Sequence, residues 1–432
     1  MSSAVVLQLI VLFGVLFLLM ALKFPIFLCM IGSVVAYAII WPGSIPIYVF
    51  AQGIIKGLSN QNFVAVCFYF FLGEIMTDGG LGDRLVDFLQ SVIGHVRGSL
   101  SHVNILASVV FAGVSGSSVA DTASISGMIM NTQIKAGYPR EHAAAITEIS
   151  SLVGPIIPPS TGFVLLGVYF SCSIRRLYIA GIVPGLIMGL VMVVITIVVS
   201  RKQKFPRQDW KGWRNVGKMA RRGLPAFLLP ALIMIFLFLG IGTIVEVGAT
   251  SCLIAIILAS LYGEMTPKKL LKMLMHTSIM AATCYAMVGF SGLYTWIITS
   301  MGVAKWIAAQ ILAAGASKLA VCSVAMLILF ILGMILDTLV LQMVIIPVMV
   351  PMLLAVGIDP IWFCVVALIV IQLGLITPPV GTLIYLTAKM AGCSSMGVVK
   401  ASAPYMIGML LIVLLLLACP AVVTFLPTIV MG

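Results

Sequence analysis

The residues able to do chemistry in this chain are oxygen ligands set inside apolar segments. GPIIPPSTG runs from Gly154 to Gly162, and GLITPPVGT runs from Gly374 to Thr382. A proline inside a helix removes a backbone donor and clashes with the preceding turn, at a cost of about 3 kcal/mol. Two adjacent prolines with glycine close by therefore predict a local unwinding with free carbonyl oxygens. At membrane depth such a backbone is tolerated only where it is buried in protein or lines a cavity. Two more stretches are small and polar: GVSGSSVADT at 113–122 and GMILDT at 333–338. Ser115, Ser117, Ser118, Thr122, Ser160, Thr161, Thr338 and Thr377 add hydroxyls to the carbonyls. Oxygen-only ligands suit a hard cation such as sodium and give no handle for a transition metal.

These stretches occur twice. Gly137 and Gly357 are 220 residues apart, as are Pro158 and Pro378, Pro159 and Pro379, and Pro184 and Pro404. The Asp121-Thr122 pair recurs as Asp337-Thr338 at an offset of 216. An internal repeat related by one small gap accounts for all five matches. Paired broken helices at matching places in two halves point to a transporter's binding site near the bilayer midplane.

The elements that must position these residues follow from composition. Of 432 residues 62% are hydrophobic and 8% charged, against about 25% charged in a soluble domain. The expectation is an all-α polytopic membrane protein. Its net charge of +12 does not indicate nucleic acid, because nine of the 24 Lys and Arg lie between Arg201 and Arg222. That cluster reads as a cytoplasmic, positive-inside linker with affinity for anionic lipid head groups. Nine scattered cysteines form no C-x-x-C or zinc spacing and read as apolar fillers.

Residues 101–135 and 319–354 each offer two arms around a polar tip. The arms of the first are too short to cross a hydrocarbon core that needs about 20 residues. Both segments are expected as re-entrant hairpins. Each half then has about five spans plus one hairpin. An odd number of spans inverts the second copy, giving an inverted-topology repeat. The halves are expected at 1–200 and 223–432, joined by the basic linker at 201–222. The second expected span runs from Phe24 to Tyr48 and the last from Ala401 to Phe425. Amphipathic surface helices are expected at Asp83 to Gly98 and Lys305 to Ala314, and a basic interfacial helix around Lys268, Lys269 and Lys272. If the linker is cytoplasmic, both termini face outward, with Arg175 and Arg176 dissenting.

A hairpin tip at the midplane supplies a helix N-terminus, which carries roughly +0.5 charge and suits a carboxylate. Unwound carbonyls and helix C-termini suit sodium. The expected geometry is two cation sites, each between a hairpin tip and a broken helix, flanking one substrate pocket. Asp121 and Asp337 are costly inside a membrane and are functional candidates. Two roles stay open for them: contact with an ion, or capping of the second hairpin arm. Glu74, Glu148 and Glu246 rank lower, as proton carriers or helix-pairing residues. His95, His102, His142 and His276 are expected at the interface. No Ser-His-Asp order, H-E-x-x-H or Walker loop is present, so no enzyme is expected and a gradient must drive any transport.

At GVSGSSVADT, GPIIPPS, LGMILDT (332–338) and GLITPPVG the chain resembles the large membrane subunit of tripartite ATP-independent periplasmic (TRAP) transporters. The resemblance covers essentially the whole length. It implies a sodium-coupled elevator in the bacterial inner membrane, in which a transport domain carrying both hairpins slides against a scaffold. It implies as partners a separate four-helix membrane subunit and a periplasmic binding protein. That protein would deliver an organic acid such as a C4-dicarboxylate, a sialic acid or another sugar acid. Sodium contact is carried onto Ser115, Gly116, Ser118, Asp121, Gly154 and Pro158, and in the second half onto Gly333, Asp337, Thr338, Gly374, Thr377 and Pro378. Substrate contact is carried onto Thr122, Pro159, Ser160, Pro379 and Gly381. Leu339 to Gln342 match no assigned pattern. A stand-alone sodium-carboxylate carrier is the competing reading, and a membrane enzyme or scaffold a more distant one.

Overall fold

The computed structural model describes residues 3–115, 117–207, 210, 212–303, 306–307, 309–310 and 317–431, without the side chains of 56, 57, 111–115, 125 and 126. No strand occurs among them. The first half begins with α1 (Ser3–Ala21), α2 (Ile26–Ile40), α3 (Ile47–Leu58), α4 (Asn62–Asp78) and α5 (Leu81–Ile93). The first hairpin pairs α6 (Ser99–Ser115) with α7 (Ser118–Ala123) and α8 (Ile125–Lys135). Then come α9 (Arg140–Ser151), α10 (Thr161–Tyr169) and α11 (Ile174–Lys202).

The second half opens with α12 (Trp213–Leu239), α13 (Ile244–Leu261) and α14 (Pro267–Ser300). Its hairpin pairs α15 (Lys318–Gly333) with α16 (Thr338–Ala355), whose residues Leu341–Ile345 are wound as a π-helix. It closes with α17 (Pro360–Leu375), α18 (Thr382–Ala391), α19 (Ser395–Ala418) and α20 (Ala421–Met431).

Seven helices among the described residues are long and apolar enough to cross a membrane: α1, α11, α12, α13, α14, α16 and α19. The expected broken spans are each resolved into two shorter helices, α9 with α10 and α17 with α18. Local chemistry fixes the ends. Asp359 Oδ1 accepts from Ile361 N at 2.9 Å ahead of Pro360, the first residue of α17. Proline at that position has no donor to waste and a helical φ. Every residue of α17 after Pro360 is buried, as its unbroken apolar sequence requires. Gly137 and Gly357, equivalent in the repeat, both take left-handed φ, at 89° and 70°. Each ends a hairpin's second arm in a conformation that glycine adopts without steric cost.

Packing separates two groups of helices. α1 packs on α2, α3 on α14, α4 on α13, and α5 on α12. The hairpins and broken helices pack on one another, with α15 on α17 and α9 on α6, α8, α18 and α19, and they meet the first set where α6 packs on α4 and α5 and α10 packs on α4. A polar seam binds α6 to α9. Asn104 Nδ2 donates to Thr147 Oγ1 at 3.0 Å, and Ser150 Oγ donates to Asn104 Oδ1 at 3.2 Å.

Several boundaries differ from expectation. The span placed at Phe24 to Tyr48 ends at Ile40, and Pro42 and Pro46 precede a separate amphipathic α3. The basic interfacial helix and the following span are one 34-residue helix, α14, because no glycine or proline interrupts Lys268 to Tyr285. The last span stops at Ala418 ahead of Pro420 and resumes as α20. The second part of the basic linker is helical, as the first turns of α12. Most of Lys305 to Ala314 lies outside the described residues. His102 and His142 are buried at 5% and 2% exposure, not interfacial. Ser101 Oγ stands 3.0 Å from His142 Nε2, so the polar seam provides for that ring.

Candidate functional site

The four repeated stretches fall at helix breaks, and three of them meet around one small, partly open cleft of about 40 Å3. Its wall includes Ser117, Ser118 and Val119 from the first hairpin, and Asp337, Thr338, Leu339 and Gln342 from the second. Pro155, Thr161 and Gly162 come from the first break, and Gln372 from α17. Phe70 of α4 and Met280 of α14 close it from the other helix group.

Backbone donors converge here. Thr161 and Gly162 open α10, Thr338 and Leu339 open α16, and Ser118 and Val119 open the returning arm of the first hairpin. A helix start leaves its first N–H groups without intrahelical partners and carries partial positive charge, and here capping side chains take some of those groups. Ser117 Oγ accepts from Ala120 N at 3.4 Å and Ser160 Oγ accepts from Phe163 N at 3.2 Å. Asp337 Oδ2 accepts from Leu339 N at 3.0 Å. Asp337 therefore does cap its arm, with a carboxylate still lining the cleft. Asp121 does not cap. Ser117 holds that place, and Asp121 lies fully buried within α7.

Gln372 ties the halves together. Its Nε2 donates to Ser118 Oγ at 2.7 Å, and its Oε1 accepts from Thr338 Oγ1 at 3.0 Å. Beside it the second hairpin and second broken helix touch through backbone. A Cβ on Gly374 would stand 2.6 Å from the carbonyl carbon of Gly333. Gly381 N donates to Met334 O at 2.9 Å, a second backbone link between that break and that tip.

The remaining candidate residues divide by surroundings. Gly154, Pro158, Pro159 and Ser160 are buried, and Ser160 Oγ also donates to Pro155 O at 2.5 Å. Thr122 is buried away from the cleft and donates to Ser151 Oγ at 2.9 Å. Thr377 Oγ1 donates to Leu373 O at 2.7 Å, while Pro378 and Pro379 are exposed. The Pro158-Pro159 and Pro378-Pro379 peptide bonds are both cis. Gly116 and the side chain of Ser115 lie outside the described residues.

Sequence reasoning missed Gln372, and it reached Gln342 only as the end of the unassigned stretch Leu339 to Gln342. Both are fully buried, and among the described residues neither amide atom of Gln342 has a hydrogen-bond partner. The signal was available: each is a lone amide in an apolar run, LQMVI and VVALIVIQLGL. Glu148 is also fully buried. Ser402 Oγ donates to its Oε1 at 2.5 Å and Thr387 Oγ1 to its Oε2 at 3.1 Å, so it joins α9 to α18 and α19. Glu74 Oε1 meets His276 Nδ1 at 2.7 Å, pairing α4 with α14. Glu246 completes an exposed capping box with Thr243. No group of three His, Cys, Asp or Glu able to hold a metal occurs among the described residues.

Residues 13–422 match the family model of the DctM component of the tripartite ATP-independent periplasmic transporter. The chain is similar to the large permease protein SiaM of a Vibrio cholerae sialic acid TRAP transporter, 29% identical over 88% of this chain and 90% of that one. It is similar to YiaN, the 2,3-diketo-L-gulonate TRAP large permease of Escherichia coli, at 29% identity over 87% and 91%. The C4-dicarboxylate TRAP large permease DctM of Pseudomonas aeruginosa is 28% identical over 89% and 92%. Among solved structures, the Alcanivorax borkumensis YdaH transporter superposes with TM-score 0.65 at 15% identity, over 87% of this chain and 88% of that one. Neisseria gonorrhoeae MtrF superposes at 0.62 and 13%, over 86% and 84%. These two likenesses concern the fold alone.

Proposed function

Because the chain belongs to the DctM component family of tripartite ATP-independent periplasmic transporters, we propose that it is the sodium-coupled membrane subunit importing an organic acid handed over by a periplasmic binding protein. The family is one of transporter permeases, not enzymes, and its members are multi-pass proteins of the bacterial inner membrane. The substrate class follows from the cleft. Starts of helices from both halves open on it, and a carboxylate there would be met by N–H groups and partial positive charge. The relatives named for sialic acid, diketogulonate and C4-dicarboxylates all handle organic acids. Gln342 supplies a neutral amide, donor and acceptor together, to the same space.

Sodium is assigned to the two tip-and-break pairs. In the second half the ligands are drawn from Gly333, Asp337, Thr338, Gly374, Thr377 and Pro378. In the first they are drawn from Ser115, Gly116, Ser118, Asp121, Gly154 and Pro158. Asp337 supplies charge that a bound cation offsets, which favours an anionic substrate beside it. Substrate contact falls to Gln342, with Thr122, Pro159, Ser160, Pro379 and Gly381 as the family-derived set. Movement is assigned to the hairpin group sliding against α4 and α14, whose Phe70 and Met280 form the apolar wall. The halves are taken as residues 1–200 and 223–432. A separate small membrane subunit completes the scaffold.

The observation that carries this reading is the cleft shared by both hairpins and bridged by Gln372. Its test is uptake of labelled organic acids into proteoliposomes, with and without an inward sodium gradient, the binding protein and the small subunit. Uptake requiring all of them is the expected result. Sodium-driven uptake by this chain alone makes it a stand-alone carboxylate carrier.

A further inference from the structure

The geometry of α12 and α13 points to a built site for one anionic phospholipid, and we propose that this is its role. Arg214, Lys218, Arg221, Pro225, Leu228, Leu232 and Ile235 follow one another at spacings of 4, 3, 4, 3, 4 and 3 residues. Those intervals keep all seven on one face of a helix. The face changes character along its length. Arg214, Gly217, Lys218, Arg221 and Arg222 line a concavity of about 570 Å3. Immediately beyond it, Pro225, Leu228, Leu229, Leu232 and Ile235 form a groove of about 310 Å3 with Ile254 and Leu258 of α13.

The cations are available. The ion pairs among the described residues are Arg84–Glu264 and His276–Glu74, and neither uses this face. Of these cations, Arg222 interacts with an acid, Asp87 on α5. Gly217 has no neighbouring atom within 4 Å of where a Cβ would lie, which leaves the floor of the concavity open. The lengths also fit. Residues 225 to 235 rise about 15 Å at 1.5 Å per residue, the depth of one leaflet of a hydrocarbon core about 30 Å thick. A phosphate among four cations at the positive-inside face, with its chains in the adjoining groove, satisfies both halves of the surface. A lipid seated so would fix the depth of the α12–α13 pair in the bilayer.

The test uses the purified full chain and titrates phosphatidylglycerol, a phosphatidylcholine of the same chains, and inorganic phosphate, read by native mass spectrometry. Phosphatidylglycerol should bind at least tenfold more tightly than phosphatidylcholine. The triple variant R214Q/K218Q/R221Q should lose on the order of a hundredfold, about fivefold per cation. Leu232→Trp, which fills the groove without touching a charge, should also lose phosphatidylglycerol. If the triple variant does not fold, Lys218→Gln alone should lose about fivefold, with binding that weakens in salt. Equal affinity for the two lipids, or unchanged affinity in the cation variants, overturns the proposal. So does inorganic phosphate binding as tightly as phosphatidylglycerol with Leu232→Trp neutral, which would leave only a free-anion site. Protection of Leu232→Cys from a thiol reagent by a copurified polypeptide, and not by lipid, would give the groove to a protein partner.

Discussion

Gln372 donates from its Nε2 to Ser118 Oγ at 2.7 Å across 254 residues of sequence. The other end of the same amide accepts from Thr338 Oγ1 at 3.0 Å. One side chain thereby holds the tips of both hairpins in register over the cleft. Gln372→Leu removes both bonds and leaves two hydroxyls without their partner, at about 1–3 kcal/mol for a buried polar group. Uptake in proteoliposomes should fall at least tenfold while the amount of folded protein in the membrane stays near normal. Gln372→Glu keeps the acceptor for Thr338 and loses the donor to Ser118, so it should fall between. Equal uptake by wild type and Gln372→Leu would remove the bridge from the mechanism.

Gly374→Ala tests the backbone contact beside that bridge. The new Cβ would stand 2.6 Å from the carbonyl carbon of Gly333 and 2.8 Å from its Cα. No side-chain rotation relieves a clash with backbone, so the hairpin and the broken helix must part. Overpacking of this kind costs about 1–3 kcal/mol. Thermal unfolding in detergent should come at lower temperature, and transport should be lost. Gly14→Ala, where nothing lies within 4 Å, is the control and should leave both unchanged.

Which parts of this arrangement were legible in the sequence follows from what each residue must do alone. Pro158-Pro159 and Pro378-Pro379 break a helix wherever they occur, so the two breaks could be read directly. The first hairpin showed as two arms too short to span around a polar tip, and the second as its repeat. Gln342 and Gln372 stand out locally as lone amides in apolar runs, but the bridge from Gln372 to Ser118, 254 residues away, and the absence of a partner for Gln342 among the described residues are properties of the folded chain. The close approach of Gly333 and Gly374 is likewise a property of two helices together. Asp121 and Asp337 share a motif yet differ in place, because Ser117 takes the capping position ahead of Asp121 and no serine stands ahead of Asp337.

Gln342 gives a prediction about substrate rather than ion. Its amide is fully buried, lines the cleft and has no partner among the described residues. A site built to bond a polar substrate group discriminates by leaving its own polar group unpaired when that group is absent. Gln342→Leu should raise KM for the native acid about tenfold and leave the sodium dependence unchanged. An unchanged KM across the panel of acids would exclude Gln342 from recognition.

The two breaks differ in exposure. Pro378, Pro379 and Val380 are exposed, whereas Pro158 and Pro159 are buried. In a cysteine-free background, Val380→Cys should react with a small maleimide and Pro159→Cys should not. Sodium should slow the labelling of Val380→Cys if the second break closes around the ion. Identical labelling of both positions would contradict the asymmetry.

Asp337 separates capping from ion contact. Its Oδ2 accepts from Leu339 N at 3.0 Å, and the same carboxylate lines the cleft. Asparagine is as good a cap as aspartate, whereas alanine forfeits about 0.5–2 kcal/mol. Asp337→Asn should therefore keep wild-type thermal stability, because its amide oxygen still accepts from Leu339. It removes the negative charge, so the sodium concentration for half-maximal uptake should rise at least fivefold. Asp337→Ala should lose both stability and sodium affinity. Should Asp337→Asn transport with unaltered sodium dependence, the carboxylate serves the helix alone. The second cation site would then be left to the carbonyls of the Gly374 to Pro378 break and the hydroxyls of Thr338 and Thr377.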